Sequence, residues 1–230
     1  MFKIRLIRQI VALIALISVG CSSLSSTPLP EQMDKSPFTG DPCAAPCWQG
    51  LVIGRSSENE VLSRLPTLTF IDPNSTQLFR EGSKLGLDPK NYDYAAQIVA
   101  NCIYPEEQCL VLRTVDYTLT EIEIVLNYEI TVGEAIGYLG VPDYVGYQKI
   151  GLEPASCEIN IVWLSRQMVL ASTTFEGHES VERCGAVKET GKIESDLLIS
   201  KAIYKAQEAI EILLVAGSGT EFFEFTETLP

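Results

Sequence analysis

A single histidine, His178, is present in the 230 residues, and that scarcity removes most imidazole chemistry. A Ser-His-Asp mechanism would depend on His178 alone, which sits between Gly177 and Glu179 in a polar stretch that reads as a solvated loop. No Gly-x-Ser-x-Gly elbow accompanies it. One histidine, with no two cysteine pairs of matching finger-like spacing, also argues against a structural zinc site. Basic residues are few: 17 Lys and Arg stand against 30 Asp and Glu, a net charge of −13. Nucleic acid and anionic headgroups are therefore poor partners for the folded part. Apolar runs are short as well, the longest early one covering residues 10–17, well under the ~20 residues a spanning helix needs.

The short run is nevertheless informative. Lys3, Arg5 and Arg8 precede it and the small residues Ser18, Val19 and Gly20 follow, the layout of a cleavable export signal over residues 1–20. Cys21 comes directly after Gly20, which resembles the lipobox of bacterial lipoproteins. That resemblance implies acylation of Cys21 as the new N-terminus, attachment to the membrane through lipid, and a domain outside the cytoplasm in the cell envelope. The signal carries three basic residues and no acidic one, so the mature chain stands at −16 (14 − 30). Residues 21–41 are rich in Ser, Thr and Pro and read as a flexible tether.

Six further cysteines remain: Cys43, Cys47, Cys102, Cys109, Cys157 and Cys184. An even count in an exported chain argues for three disulfides. Locality favours Cys43 with Cys47, Cys102 with Cys109 and Cys157 with Cys184, while other connectivities stay open. Cys43 and Cys47 also admit a redox-active reading, but their spacing is three residues rather than the two of thioredoxin-like motifs, and no βαβ pattern surrounds them.

Two segments repeat one local pattern. Ser57-Glu58-Asn59-Glu60 is a capping box followed by the apolar face Val61, Leu62 and Leu65, with Pro66 as the stop. Seventy-four positions later Thr131-Val132-Gly133-Glu134 repeats the box, Ala135, Ile136 and Leu139 repeat the face, and Gly140 and Pro142 stop it. The capping box also accounts for Gly133, Gly137 and Gly140, which lack the lysine of a phosphate loop. Strand-like stretches follow each helix: 68–71, 110–115 and 119–126 after the first, then 144–150, 159–164, 168–174 and 198–204 after the second. The stretch between 72 and 109 is ambiguous. A helix is predicted over 206–215, closed by Gly217 and Gly219. The expected class is α+β, in two tandem modules of short helix plus antiparallel sheet. Their spans are 42–128 and 129–230, the second including a C-terminal helix and tail.

Gly54-Arg55-Ser56-Ser57 with Glu60-Val61 and Leu65, and Thr131 with Glu134-Ala135 and Leu139-Gly140-Val141-Pro142, resemble the helix-opening motif of the SmpA/OmlA-type outer-membrane assembly lipoproteins. The same small module in tandem is similar to that of the β-lactamase inhibitor protein. Pro46-Cys47-Trp48-Gln49-Gly50-Leu51-Val52-Ile53-Gly54 is similar to the lead-in of other bacterial lipoproteins. The resemblance implies a binding or scaffolding role and assigns no functional residue.

Chemistry is sparse elsewhere. Asp116, Glu121 and Glu123 are the candidate acid cluster for hydrolysis or calcium, but alternation with Ile122 and Ile124 makes Glu121 and Glu123 the wet face of a strand. Asp72-Pro73-Asn74-Ser75 reads as a turn rather than a calcium loop. Trp48 and Trp163 read as core. Tyr92, Tyr94, Tyr144 and Tyr147 are candidates to line a groove, and Phe222, Phe223 and Phe225 read as a last strand. The leading expectation is a non-catalytic lipoprotein, without cofactor or metal, that binds another envelope protein. The alternatives are a solute- or peptide-binding lipoprotein and a carboxylate- or calcium-dependent hydrolase.

Overall fold

The computed structural model describes residues 34–80, 95–104, 106–150, 156–174, 176–215, 220–225 and 228–229. The signal, Cys21, Tyr92 and Tyr94 lie outside the described residues. Among the described residues the first elements are a four-residue helix α1 (Ser36–Thr39) and a two-residue ladder of β1 (Cys47–Trp48) with β2 (Leu51–Val52). Helix α2 (Glu58–Arg64) follows, then β3 (Gln77–Arg80), β4 (Ala95–Asn101), β5 (Gln108–Val115) and β6 (Thr118–Val125). Helix α3 (Val132–Leu139) comes next, followed by β7 (Tyr144–Ile150), β8 (Ser156–Trp163) and β9 (Met168–Ser172). Helix α4 (Gly177–Thr190) and β10 (Ile193–Glu194) precede β11 (Ile199–Lys205), and the chain closes with α5 (Gln207–Val215), β12 (Thr220–Glu224) and β13 (Thr228–Leu229).

Nine strands form one antiparallel sheet in the order β12-β7-β8-β9-β11-β6-β5-β4-β3. The order contains two meanders, β3 to β6 and β7 to β11, joined where their last strands pair, Ile203 opposite Glu123. The fold is α+β. Its sheet is continuous across residue 128, and one hydrophobic core takes Trp48, Leu65, Ile98 and Leu112 from before that point and Ile161, Trp163, Met168 and Tyr204 from after it.

Both short helices start for the same local reason. At α2 the Ser57 amide donates to Glu60 Oε2 at 2.6 Å while Glu60 N donates to Ser57 Oγ at 3.3 Å. At α3 the Thr131 amide donates to Glu134 Oε2 at 2.8 Å and Glu134 N to Thr131 Oγ1 at 3.2 Å. Each reciprocal pair satisfies amides that a helix start leaves open. Each cap is also stitched to the beginning of its meander's last strand, Ser57 bridging Thr118 and Thr131 bridging Leu198. The flanking bonds correspond: Leu119 N to Ser56 O at 2.8 Å and Glu58 N to Tyr117 O at 2.9 Å, against Ile199 N to Ile130 O at 2.9 Å and Val132 N to Leu197 O at 2.8 Å.

The three disulfides are Cys43–Cys47, Cys102–Cys109 and Cys157–Cys184, with Cα separations of 5.6, 5.6 and 6.7 Å. Cross-links of this number indicate an oxidising, extracytoplasmic compartment. No helix among the described residues is long and apolar enough to cross a membrane. Trp48 and Trp163 are core residues, 0% and 2% exposed, and Phe222 and Phe223 lie in a closing strand.

Three expectations need correction, and the stretch left ambiguous is resolved. Residues 68–71 form no extended strand; a 3-10 turn over Leu65–Thr67 carries Pro66 beyond α2 and leads into a turn at 69–70 and a single bridge of Ile71 to Cys102. The ambiguous stretch contains β3 and β4. The backbone around His178 is the first turn of α4 rather than a loop, and the Cys157–Cys184 bond holds that helix to β8. The flexible tether does not extend to residue 41, because Asp34 and Phe38 are buried, at 7% and 6% exposure.

Candidate functional site

One face of the sheet carries the core and the other carries charge. Cross-strand register places Phe79, Gln97, Arg113, Glu121 and Lys205 in one row, and Val99, Val111, Glu123, Ile203 and Val169 in the next. Where strands of the two meanders meet, these rows become a ladder of ion pairs. Arg113 binds Glu121 directly and lies 3.9 Å from Glu123. Lys201 reaches Glu123 at 3.8 Å and Glu158 at 3.3 Å, and Lys205 reaches Glu121 at 2.8 Å. Three cations and three carboxylates cancel.

Glu121 and Glu123 are therefore not a solvated face: their side chains are 15% and 20% exposed and each is held by cations of two strands. Burial, then the like charge of Arg113, pushes the Lys205 ammonium below its usual range, partly offset by Glu123. Asp116 does not join them. It sits with Tyr117 in the β5–β6 turn, both at positive φ of 48° and 62°, the geometry of a tight hairpin. The ladder was legible only as alternation on separate strands. Lys201 and Lys205, spaced to share one face of the strand at 198–204, were its unread signal, and their partners depended on pairing.

The far end of this face is covered. Helix α5 sets Ile210, 1% exposed, against Val162 and Val169, with Ile203, Tyr144 and Phe222 around it. At the other end, the β3 row presents Phe79 at 47% exposure and the β5–β6 turn presents Tyr117 at 55%. The proposed tyrosine groove does not form from Tyr144 and Tyr147, because they lie on opposite faces: Tyr144 pairs with Val162 on the α5 side, and Tyr147 with Ile159 on the core side. Tyr147 is 3% exposed, and burial followed by the nearby Glu221 carboxylate pushes its phenol up to about 12.

Other sequence candidates are occupied structurally. Asp72 closes a turn by accepting from Asn74 N at 2.9 Å, while Ser75 Oγ donates to its carbonyl at 2.8 Å. Gly133 N donates to Ser195 O at 2.8 Å, so its amide is not free for phosphate. A cavity of about 370 Å³ lies beside α4, with Ile159, Val187 and Leu197 as apolar floor and Arg183, paired with Glu194, at its rim. Among the described residues no cluster of three or more His, Cys, Asp or Glu is placed to hold a metal ion.

No protein-family model, curated protein or solved structure matches the chain. Its function is accordingly argued from its own geometry.

Proposed function

We propose that the chain is a lipid-anchored, non-catalytic extracytoplasmic module that docks another envelope protein. Export and lipidation rest on the signal and on Cys21 after Gly20. The docking role rests chiefly on one observation: Phe79 and Tyr117 stand exposed on the β3–β6 half of the sheet, where Arg113, in the same cross-strand row as Phe79 with Gln97 between them, is already paired with Glu121. Aromatic side chains and arginine dominate the energetics of protein interfaces, and groups ordered beforehand lose less entropy on binding. The resemblance of the two helix-opening motifs to those of SmpA/OmlA-type lipoproteins likewise implies binding or scaffolding.

Two measurements test this reading. Mass spectrometry of the mature N-terminus should find Cys21 acylated, and Cys21→Ala should move the protein from the membrane to the soluble fraction. An unmodified wild-type N-terminus sinks the anchor. Photo-crosslinkers placed in cells at Phe79 and at Tyr117 should each give the same defined protein adduct, whereas one at Val141, 72% exposed on the loop after α3, should not. Equal labelling from all three positions would sink the docking surface.

A further inference from the structure

The three disulfides stand in unequal surroundings. Cys102, Cys109, Cys157 and Cys184 are 5%, 4%, 2% and 5% exposed and belong to the hydrophobic core. Cys43 and Cys47 are partly exposed, outside that core, and enclose the exposed Ala44. Thiol–disulfide exchange requires an incoming thiolate to reach a sulfur, so access selects among the bonds. A pair inside the core meets a thiolate only when the surrounding structure opens, whereas a pair at the surface meets it in the folded state.

The Cys43 sulfur is also prepared to leave. The amide of Gly50, an exposed residue, donates to Cys43 Sγ at 3.3 Å. Arg64 lies over the same glycine: its Nε donates to Gln49 O at 2.8 Å, and its Nη2 is 3.9 Å from where a Gly50 Cβ would stand. A hydrogen-bond donor and a nearby guanidinium both favour a thiolate, and a stabilised thiolate leaves faster. The neck holds its shape without the bond. Cys47 N donates to Ala44 O at 3.1 Å, Cys47 and Trp48 pair with Val52 and Leu51, and the fully buried Trp48 donates its Nε1 to Asp34 Oδ2 at 2.6 Å. The bond also closes the shortest loop, with a separation of 4 against 7 and 27, so it removes the least chain entropy from the unfolded state.

We propose that Cys43–Cys47 is an exchangeable disulfide, reduced in the folded protein by an external dithiol, while the other two bonds are permanent staples. One thiolate of the dithiol attacks Cys47 Sγ; the S–S bond breaks and its electron pair leaves on Cys43 Sγ, beside the Gly50 amide. The second thiolate then attacks the donor sulfur of the mixed disulfide and releases Cys47. The cysteine pair gains two electrons, the dithiol is oxidised to a disulfide, and its two protons end on Cys43 and Cys47. Here the bond is the substrate of exchange, so the two-residue spacing of a thioredoxin-like catalyst is not required. This role goes beyond protein docking and uses a different part of the surface.

The test treats the full chain in detergent micelles, without denaturant, with dithiothreitol, quenches with a maleimide at intervals and maps the labelled cysteines by peptide mass spectrometry. Cys43 and Cys47 should be labelled at least about tenfold faster than the other four, since only their bond is open to thiolate in the folded state. The protein reduced at that pair alone should keep its near-ultraviolet dichroism. A thioredoxin whose second active-site cysteine is replaced by serine should be captured as a mixed disulfide on Cys47. The double variant Cys43→Ser with Cys47→Ser should abolish capture and still fold. The assignment is overturned by any of three results: reduction of all three pairs at one rate, labelling of Cys43 and Cys47 only as the near-ultraviolet signal is lost, or capture on Cys43.

Discussion

Replacing Gly146 with alanine gives the clearest test of how the far end of the sheet is assembled. Gly146 lies in β7 opposite Phe222 of β12. A Cβ built at this position would be 2.5 Å from Glu221 O and 2.5 Å from Phe222 Cδ1. The ring can rotate away, but the carbonyl belongs to backbone paired with β7. In an ordinary strand the exchange of Gly for Ala stabilises by roughly 0.5–1 kcal/mol, because glycine loses more freedom on folding. Here the sign should reverse. Overpacking of a tight contact costs about 1–3 kcal/mol, and for a chain of this size each 1 kcal/mol lowers the unfolding midpoint by roughly 2–4 °C. Gly146→Ala should therefore lower the midpoint by about 2–12 °C. Hydrogen exchange should accelerate at the amides of β12 while β5 and β6 stay protected. An unchanged or raised midpoint, with β12 still protected, would refute the claim that Phe222 packs directly over Gly146.

Two further predictions concern the other devices that hold the fold. The double variant Cys157→Ser with Cys184→Ser should lose about 2–4 kcal/mol in denaturant titration, and exchange should quicken first in α4, which that bond ties to β8; uniform loss of protection across the sheet would contradict this. Thr131→Ala should cost about 1 kcal/mol as a lost helix cap. The Thr131 amide, then its hydroxyl, holds the exposed Glu134 carboxyl below its usual range. A carboxyl depressed in the folded state stabilises fully above its unfolded value and loses that contribution as pH falls through the folded one. The hydroxyl's share of that contact is lost in Thr131→Ala while the amide's remains, so the deficit should shrink on acidification, and a deficit independent of pH would show that the Thr131 hydroxyl does not help to hold the Glu134 carboxylate.

Local interactions are what the sequence by itself determined. The capping boxes at Ser57 and Thr131, the strands at 110–115, 119–126 and 144–150, the closing helix at 206–215 and the three disulfide pairs all depend on neighbours close along the chain or on simple periodicity, and all are present. Helix α4 was not legible because its residues show weak amphipathic periodicity and its position is secured by a distant cysteine. Tertiary structure alone decided that the meanders share a sheet, since the pairing of β6 with β11 joins residues about eighty apart and leaves no local trace. The same pairing turned Glu121 and Glu123 from a presumed wet face into half of an ion ladder, because a carboxylate's surroundings depend on which strand lies beside it. Asp34 and Ser36 were hidden in a polar, Pro-flanked stretch that reads as tether. Only the approach of Trp48 and Gln49 fixes that stretch to the domain.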